Sequence, residues 1–197
     1  MTVNFTSDHT LEDERVLLRP LRLSDFIHLI GFSVEEPDLW NFSILSAAGA
    51  ENLKKYLELA DLGRSQQKEY PFIVFDKKYK EYAGSTRLYD IQPAYKTLQL
   101  GYTWYGRKYQ GTGLNKHCKY LLLEFAFERW DMERVEFRAD NDNSRSIAAM
   151  KSIGCKVDGI LRSNVPKVTG GRRDSIVLSI LKNEWFETVK SGLKKKL

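Results

Sequence analysis

Between Pro71 and Gly106 three runs follow one another, PFIVFDKK, YAGSTRLYDI and TLQLGYTWYG, rich in β-branched and aromatic residues and separated only by the polar joints KKYKE and QPAYK. Runs of this kind, joined so briefly, are expected to form an antiparallel meander. The period then changes. Leu114, Cys118, Leu121, Leu122, Phe125 and Ala126 recur at i, i+4, i+7 and i+8, which draws an apolar stripe down a helix that can pack on the sheet.

The flanking segments extend this frame. ERVLLRPLR reads as a strand closing on Pro20, and LSDFIHLIGF as a short helix capped by Ser24. Leu53, Tyr56, Leu57 and Ala60 lie at helical spacing in a segment stopped by Gly63. RVEFRAD alternates as a strand, NSRSIAAMKSIG is a capped helix ended by Gly154, and CKVDGILR and DSIVLSIL are the last strands. The order β-α-α-β-β-β-α-β-α-β-β predicts an α/β (α+β mixed) sheet with helices on its faces. With 197 residues, no repeat and no linker composition, one domain over 1–197 is expected, loosely ordered at 1–13 and 190–197.

Composition narrows the function classes. No stretch approaches the ~20 apolar residues of a membrane span, and the N-terminus is too polar for a secretory signal, so a cytoplasmic protein without a membrane partner is expected. Cys118 and Cys155 have no metal or disulfide spacing and are expected to be reduced, buried and inert, while His9, His28 and His117 show no metal pattern. No metal is expected. The net charge of +5 owes much to Lys194, Lys195 and Lys196; it suits an anionic ligand, and Lys/Arg clusters interleaved with aromatics, as nucleic acid requires, are absent.

The loop before the striped helix reads Gln110-Gly111-Thr112-Gly113-Leu114-Asn115. Helix N-termini carry unpaired N–H groups and partial positive charge, so residues without bulk at that entrance suit close approach of phosphate oxygens; a plain tight turn is the competing reading. A dinucleotide GxGxxG would need a small residue at Lys116, and a GxxxxGK[ST] loop laid on Gly106 to Gly111 puts Thr112 where the lysine must stand. Neither fits.

The loop resembles instead the coenzyme A pyrophosphate loop of the GNAT N-acetyltransferase superfamily, matched by Gln110, Gly111 and Gly113, with Asn115 where that superfamily usually has Gly or Ala. The match is stronger in the branch resembling ribosomal-protein N-terminal alanine and serine acetyltransferases, whose loops take the form WQGTGLN; here Tyr109 to Asn115 stand there. A second motif supports it: Asn143 and Ser146 form the NxxS of the same branch, and Gly154 closes the helix that follows. The resemblance runs from about Val16 to Trp185 and implies a GNAT-like fold, a largely antiparallel N-terminal sheet with a splayed central parallel strand pair. It implies acetyl-CoA as co-substrate and direct acetyl transfer to a primary amine, on a protein N-terminus or a small molecule, in a ternary complex. A coenzyme-binding regulatory module of the same fold is the alternative, and a homodimer is common in similar proteins.

That chemistry needs the coenzyme held, the carbonyl polarised and a proton supplied to the leaving thiolate. Backbone donors of Gln110, Gly111, Thr112, Gly113, Leu114 and Asn115, with Arg107, Lys108, Lys116 and Lys119 as cations, are candidates for holding phosphate. Gly101 in mid-strand suggests a bulge that turns the backbone of Tyr102, Thr103 and Trp104 toward a ligand. By the resemblance, Ser146 is the proton donor or thiolate-stabilising group, and Asn143 fixes the coenzyme or the helix start. Capping alone also explains Asn143. Trp40, Phe42 and Tyr89 are candidates for the acceptor pocket, with core packing as their other reading. Many relatives carry a glutamate base on the strand where Gln99 aligns, and an amide takes no proton at neutral pH. Gln99 thus points to amines already partly neutral: at pH 7 an α-amine of pKa ~8 is about a tenth neutral, a lysine amine roughly one part in a few thousand.

Overall fold

The computed structural model describes residues 3–167 and 170–197. Its centre is one eight-stranded sheet in the order β1-β2-β3-β4-β5-β6-β8-β7. The strands are β1 Leu11–Glu12, β2 Val16–Pro20, β3 Tyr70–Asp76, β4 Glu81–Gln92, β5 Thr97–Tyr105, β6 Arg134–Asp140, β7 Lys156–Pro166 and β8 Arg172–Leu181. β3, β4 and β5 form the expected meander, and all neighbours pair antiparallel except β5 and β6. That parallel pair holds register only at Thr97–Arg134, Leu98–Val135 and Gln99–Glu136. Beyond Gln99 the two strands diverge, so both edges of the gap keep backbone groups free of the ladder.

Helices cover both faces. α1 Phe26–Glu35 and α2 Ala50–Ser65 pack through Leu29, Leu53, Tyr56 and Leu57 on Ile73 and Trp104. On the other face lies α3 Leu114–Glu124, whose stripe of Leu114, Cys118, Leu121 and Leu122 is buried in the larger core. A π turn, Phe125–Arg129, extends α3 and buries Phe125, Ala126 and Phe127. α4 Ser144–Ser152 follows β6.

Two local expectations need correction. Gly63 does not stop α2, which continues to Ser65; the Gly63 carbonyl accepts the amides of Lys68 and Glu69 just past the helix end. Asp25 rather than Ser24 organises the start of α1, since its carboxylate accepts the Arg22 amide at 2.8 Å and pairs with Arg19 at 2.6 Å. Particular side chains near both described ends reach the core. Phe5 and Leu11 are buried, and β1 pairs with β2. The C-terminus forms a helical run, Lys182–Glu184, Trp185–Val189 and Lys190–Lys194, whose Trp185, Val189 and Leu193 are spaced by four and reach the core. No helix among the described residues is long and apolar enough to cross a membrane.

Candidate active site

The entrance to α3 is built by backbone conformation. Gly111 at φ +74° and Gly113 at φ +90° occupy the left-handed region, and a Cβ added at either would meet no atom within 4 Å. Their lack of a side chain is therefore required by φ and not by packing within the chain. The polar side chains of the loop serve its own frame. Gln110 Nε2 donates to the Tyr105 carbonyl at 2.8 Å, Thr112 Oγ1 to the Tyr109 carbonyl at 2.7 Å, and Asn115 Oδ1 accepts from the buried Tyr105 hydroxyl at 3.2 Å. No side chain caps α3, and among the described residues the amides of Gly111, Thr112, Gly113, Leu114 and Asn115 have no hydrogen-bond partner. Five free N–H groups at the positive end of a helix dipole suit an oxyanion.

These amides open onto a cavity of about 1200 Å³ that runs through the gap between β5 and β6. Its walls include Gly111, Gly113, Asn115 and Lys116 from the entrance of α3, Arg145, Ser146 and Met150 from α4, and Phe42, Tyr89, Asp90, Gln99, Arg138 and Arg173. Asn143 is the N-cap of α4, its Oδ1 accepting the Ser146 amide at 3.0 Å. The Ser146 hydroxyl, presented on the first turn of that helix, makes no hydrogen bond among the described residues.

The bulge expected near Gly101 falls just after it. Arg87 opposes Gly101 and Ser85 opposes Trp104, so one residue of β4 faces Tyr102 and Thr103 of β5, and Tyr102 takes φ +49°. Gly101 itself makes room for a ring, because an added Cβ would come within 2.9 Å of Tyr89. Tyr89 in turn packs edge-on against Tyr102 with ring centroids 4.9 Å apart.

Several candidates fall elsewhere. Trp40 is 2% exposed, stacked edge-on against Trp104 at 5.0 Å in the core beneath α1 and α2, and does not line the cavity. The Trp104 indole shares that core, leaving it only a backbone role at the gap. The Leu114 side chain is fully buried, and the Thr112 side chain is not among the cavity walls. Lys108 is an exposed ion-pair partner of Glu81, away from the cavity, whereas Arg107 lines the cavity and pairs there with Asp38. Lys119 is no surface cation: it is 5% exposed, with Nζ 2.9 Å from Thr103 Oγ1, which in turn lies 2.7 Å from Thr86 Oγ1. Burial drives its ammonium down to about 8.

That depression has a measurable sign. The unfolded lysine titrates near ~10.4, so the folded chain binds fewer protons between pH 8 and that value; burying Lys119 costs stability at neutral pH, and the cost shrinks as pH rises through the window. Lys119→Met is expected to exceed the parent in stability by about 3 kcal/mol at pH 7, with the gap narrowing to under about 1 kcal/mol by pH 10. Denaturant melts at the two pH values check this; an unchanged gap contradicts it.

Asp90 was missed by the sequence reading. It sits at φ +47°, where β4 and β5 lose register between Tyr89 and Gln92. Its Oδ2 accepts from Gln99 Nε2 at 2.8 Å and its Oδ1 from Gln92 Nε2 at 2.9 Å. Two neutral amides thus aim a carboxylate at the cavity beside the position where Gln99 stands. The available signal was an aspartate inside a strand, where that residue is depleted. Burial pushes both Cys118 and Cys155 up to about 12, which keeps them as thiols. His117 is tied to Asp13 at 2.8 Å and joins the N-terminal segment to α3.

Comparison with known proteins agrees with this geometry. Probable N-acetyltransferase YjcK of Bacillus subtilis (strain 168) is 26% identical over 176 residues, 87% of this chain and 96% of the relative. A solved "putative acetyltransferase" from T. thermophilus is 31% identical, covers 98% of both chains and superposes with a TM-score of 0.86. Mycobacterium smegmatis RimJ, solved in complex with CoA-disulfide, shares the fold at a TM-score of 0.79 and 17% identity over 95% of this chain and 93% of its own. The sequence model of the acetyltransferase (GNAT) domain matches residues 15–156. With this match, the open strand gap and the glycine-entered helix together, the chain belongs to the GNAT acetyltransferase family.

Proposed function

We propose that the protein is an acetyl-CoA-dependent N-acetyltransferase that acts on a primary amine in a ternary complex, in the cytoplasm. The observation that carries the reading is the row of five unpartnered amides at the entrance of α3, opening onto the gap between β5 and β6. The residues present fit the coenzyme: donors without side-chain bulk at Gly111 and Gly113 for its pyrophosphate, Lys116 and Arg145 beside them for phosphate charge, and a gap with apolar Phe137, Ala139 and Met150 along its wall for its arm. When bound, acetyl-CoA supplies an acetyl group activated as a thioester. The Mycobacterium smegmatis neighbour, with its CoA-disulfide, supports the same use of the fold.

Each remaining task has a residue. Backbone groups of Gly101 to Thr103 that lie beyond the last register paired with β6 orient the acyl end across the gap. Ser146 holds a proton at Oγ for the departing sulfur, since its amide is committed to Asn143 while its hydroxyl is not. Asp90 takes the proton from the amine, the task that the amide of Gln99 cannot perform, with Gln92 and Gln99 fixing its carboxylate. Both cysteines remain protonated, which favours direct transfer over an acyl-enzyme. Phe42 and Tyr89 line the acceptor side.

The test is thiol release from acetyl-CoA with a panel of peptide N-termini, small α-amines and lysine-like amines. Amine-dependent release, greater with α-amines than with lysine-like amines, is expected. Tight acetyl-CoA binding without release from any amine would favour a regulatory module.

A further inference from the structure

Most buried ions of this chain carry a counter-ion. Asp76 meets Arg15 at 2.8 Å, Asp25 meets Arg19 at 2.6 Å, Arg87 meets Glu69 at 2.6 Å, and Asp140 has Lys167 at 3.5 Å. His117 has Asp13. Among the described residues, two buried cations have no carboxylate oxygen within 4.0 Å: Lys119 and Arg173. Lys119 can shed its proton near neutrality, as its depressed value shows. Arg173 cannot, because a guanidinium stays charged in proteins.

Arg173 is 7% exposed and lies on β8 opposite Val165 of β7. Nε donates to Ser175 Oγ at 3.0 Å and Nη1 to the Phe42 carbonyl at 3.1 Å, both neutral acceptors, and Nη2 has no partner among the described residues. The guanidinium lines the acceptor half of the cavity with Phe42, Tyr89, Asn164 and Arg138. Burial lowers its affinity for the proton, and Asp140, the acid whose charge reaches it, is held by Lys167 and the Asp142 amide. Arg138 adds positive charge and is itself engaged with Glu136 at 2.7 Å. A charge taken out of water is costly unless it is paired and hydrogen-bonded.

We infer that Arg173 is a specificity-determining residue whose missing counter-ion is supplied by the acceptor: the amine substrate carries an oxyanion, in the first instance a carboxylate, that docks on the Arg173 guanidinium. The inference rests on the transferase reading and names its substrate class. Asp90 and Arg173 then give the acceptor half one negative and one positive wall, the complement of a molecule that brings an ammonium and an anion together. The two NH groups already fixed by Phe42 and Ser175 hold the guanidinium plane, so the planar fork is set before the ligand arrives.

Acceptors paired with and without an anion, their rates compared per neutral amine, test this: L-alanine against L-alaninamide, the dipeptide amide Ser-Glu against Ser-Gln, and O-phosphoethanolamine against ethanolamine. The first two pairs separate a free amino acid from a peptide, and the third separates phosphate from carboxylate. For at least one pair, kcat/KM is expected to favour the anionic member tenfold or more. That preference should fall to about unity in Arg173→Gln and be partly kept in Arg173→Lys. Calorimetric titration of the same pairs into CoA-loaded protein reads the same preference without turnover, and a thermal melt separates loss of fold from loss of selectivity. Equal use of both members of every pair by the parent protein overturns the inference while leaving the transferase reading intact. So does a preference that survives unchanged in a folded Arg173→Gln. Failure of acetyl-CoA to bind, with no thiol release from any amine, overturns both.

Discussion

Replacing Gly111 and Gly113 together by valine is expected to weaken acetyl-CoA binding at least a hundredfold while the protein still folds. Both residues lie at positive φ, where a β-branched side chain is strained by about 1–3 kcal/mol per site. The folded chain has open space around each, so neither new side chain meets a wall of the protein itself. The added bulk instead stands beside the five free amides and turns them from their present directions. Each lost hydrogen bond to a charged oxygen is worth about 1.5–3 kcal/mol, and two such losses already exceed a hundredfold. Calorimetry with acetyl-CoA and a thermal melt check the two halves of the expectation. Unchanged affinity in the folded double variant would mean that the loop is only a turn.

Asp90→Asn is the second large effect, with kcat expected to fall by about 10²–10³ while acetyl-CoA affinity stays within about twofold of the parent. The substitution keeps size and shape and removes the ability to accept a proton. It also disturbs a carboxylate that Gln92 and Gln99 both hold, so a melt must show that β4 remains in place. Single-turnover kinetics with saturating amine isolate the chemical step. A variant as fast as the parent would remove Asp90 from the mechanism and leave proton removal to solvent.

The parts of this molecule that could be read from the sequence are those whose physics is local. Gly111 and Gly113 before the stripe from Leu114 to Ala126 announce a left-handed helix entrance, and they form one. The meander was legible because β3, β4 and β5 are joined by short turns. The C-terminal helix carried a readable stripe in Trp185, Val189 and Leu193 that the strand pattern before it obscured. The acceptor half was not legible, because it joins Phe42 from the α1–α2 connection, Asp90 from β4 and Arg173 from β8, positions that no sequence window contains together. Trp40 and Phe42 differ by two residues, yet one is sealed against Trp104 and the other faces the cavity. Lys119 shows the same limit: its letter on a helix reads as an exposed cation, but the side chain is buried at the cavity wall on Thr103.

The most direct measurement is a ¹⁵N NMR titration with acetyl-CoA that follows the backbone amides of Gly111, Thr112, Gly113, Leu114 and Asn115. These five are predicted to move farther than any others, saturably, as they acquire phosphate acceptors. If they stay fixed at millimolar acetyl-CoA, or the shifts gather on another face of the protein, the helix entrance is not the coenzyme site and the account fails.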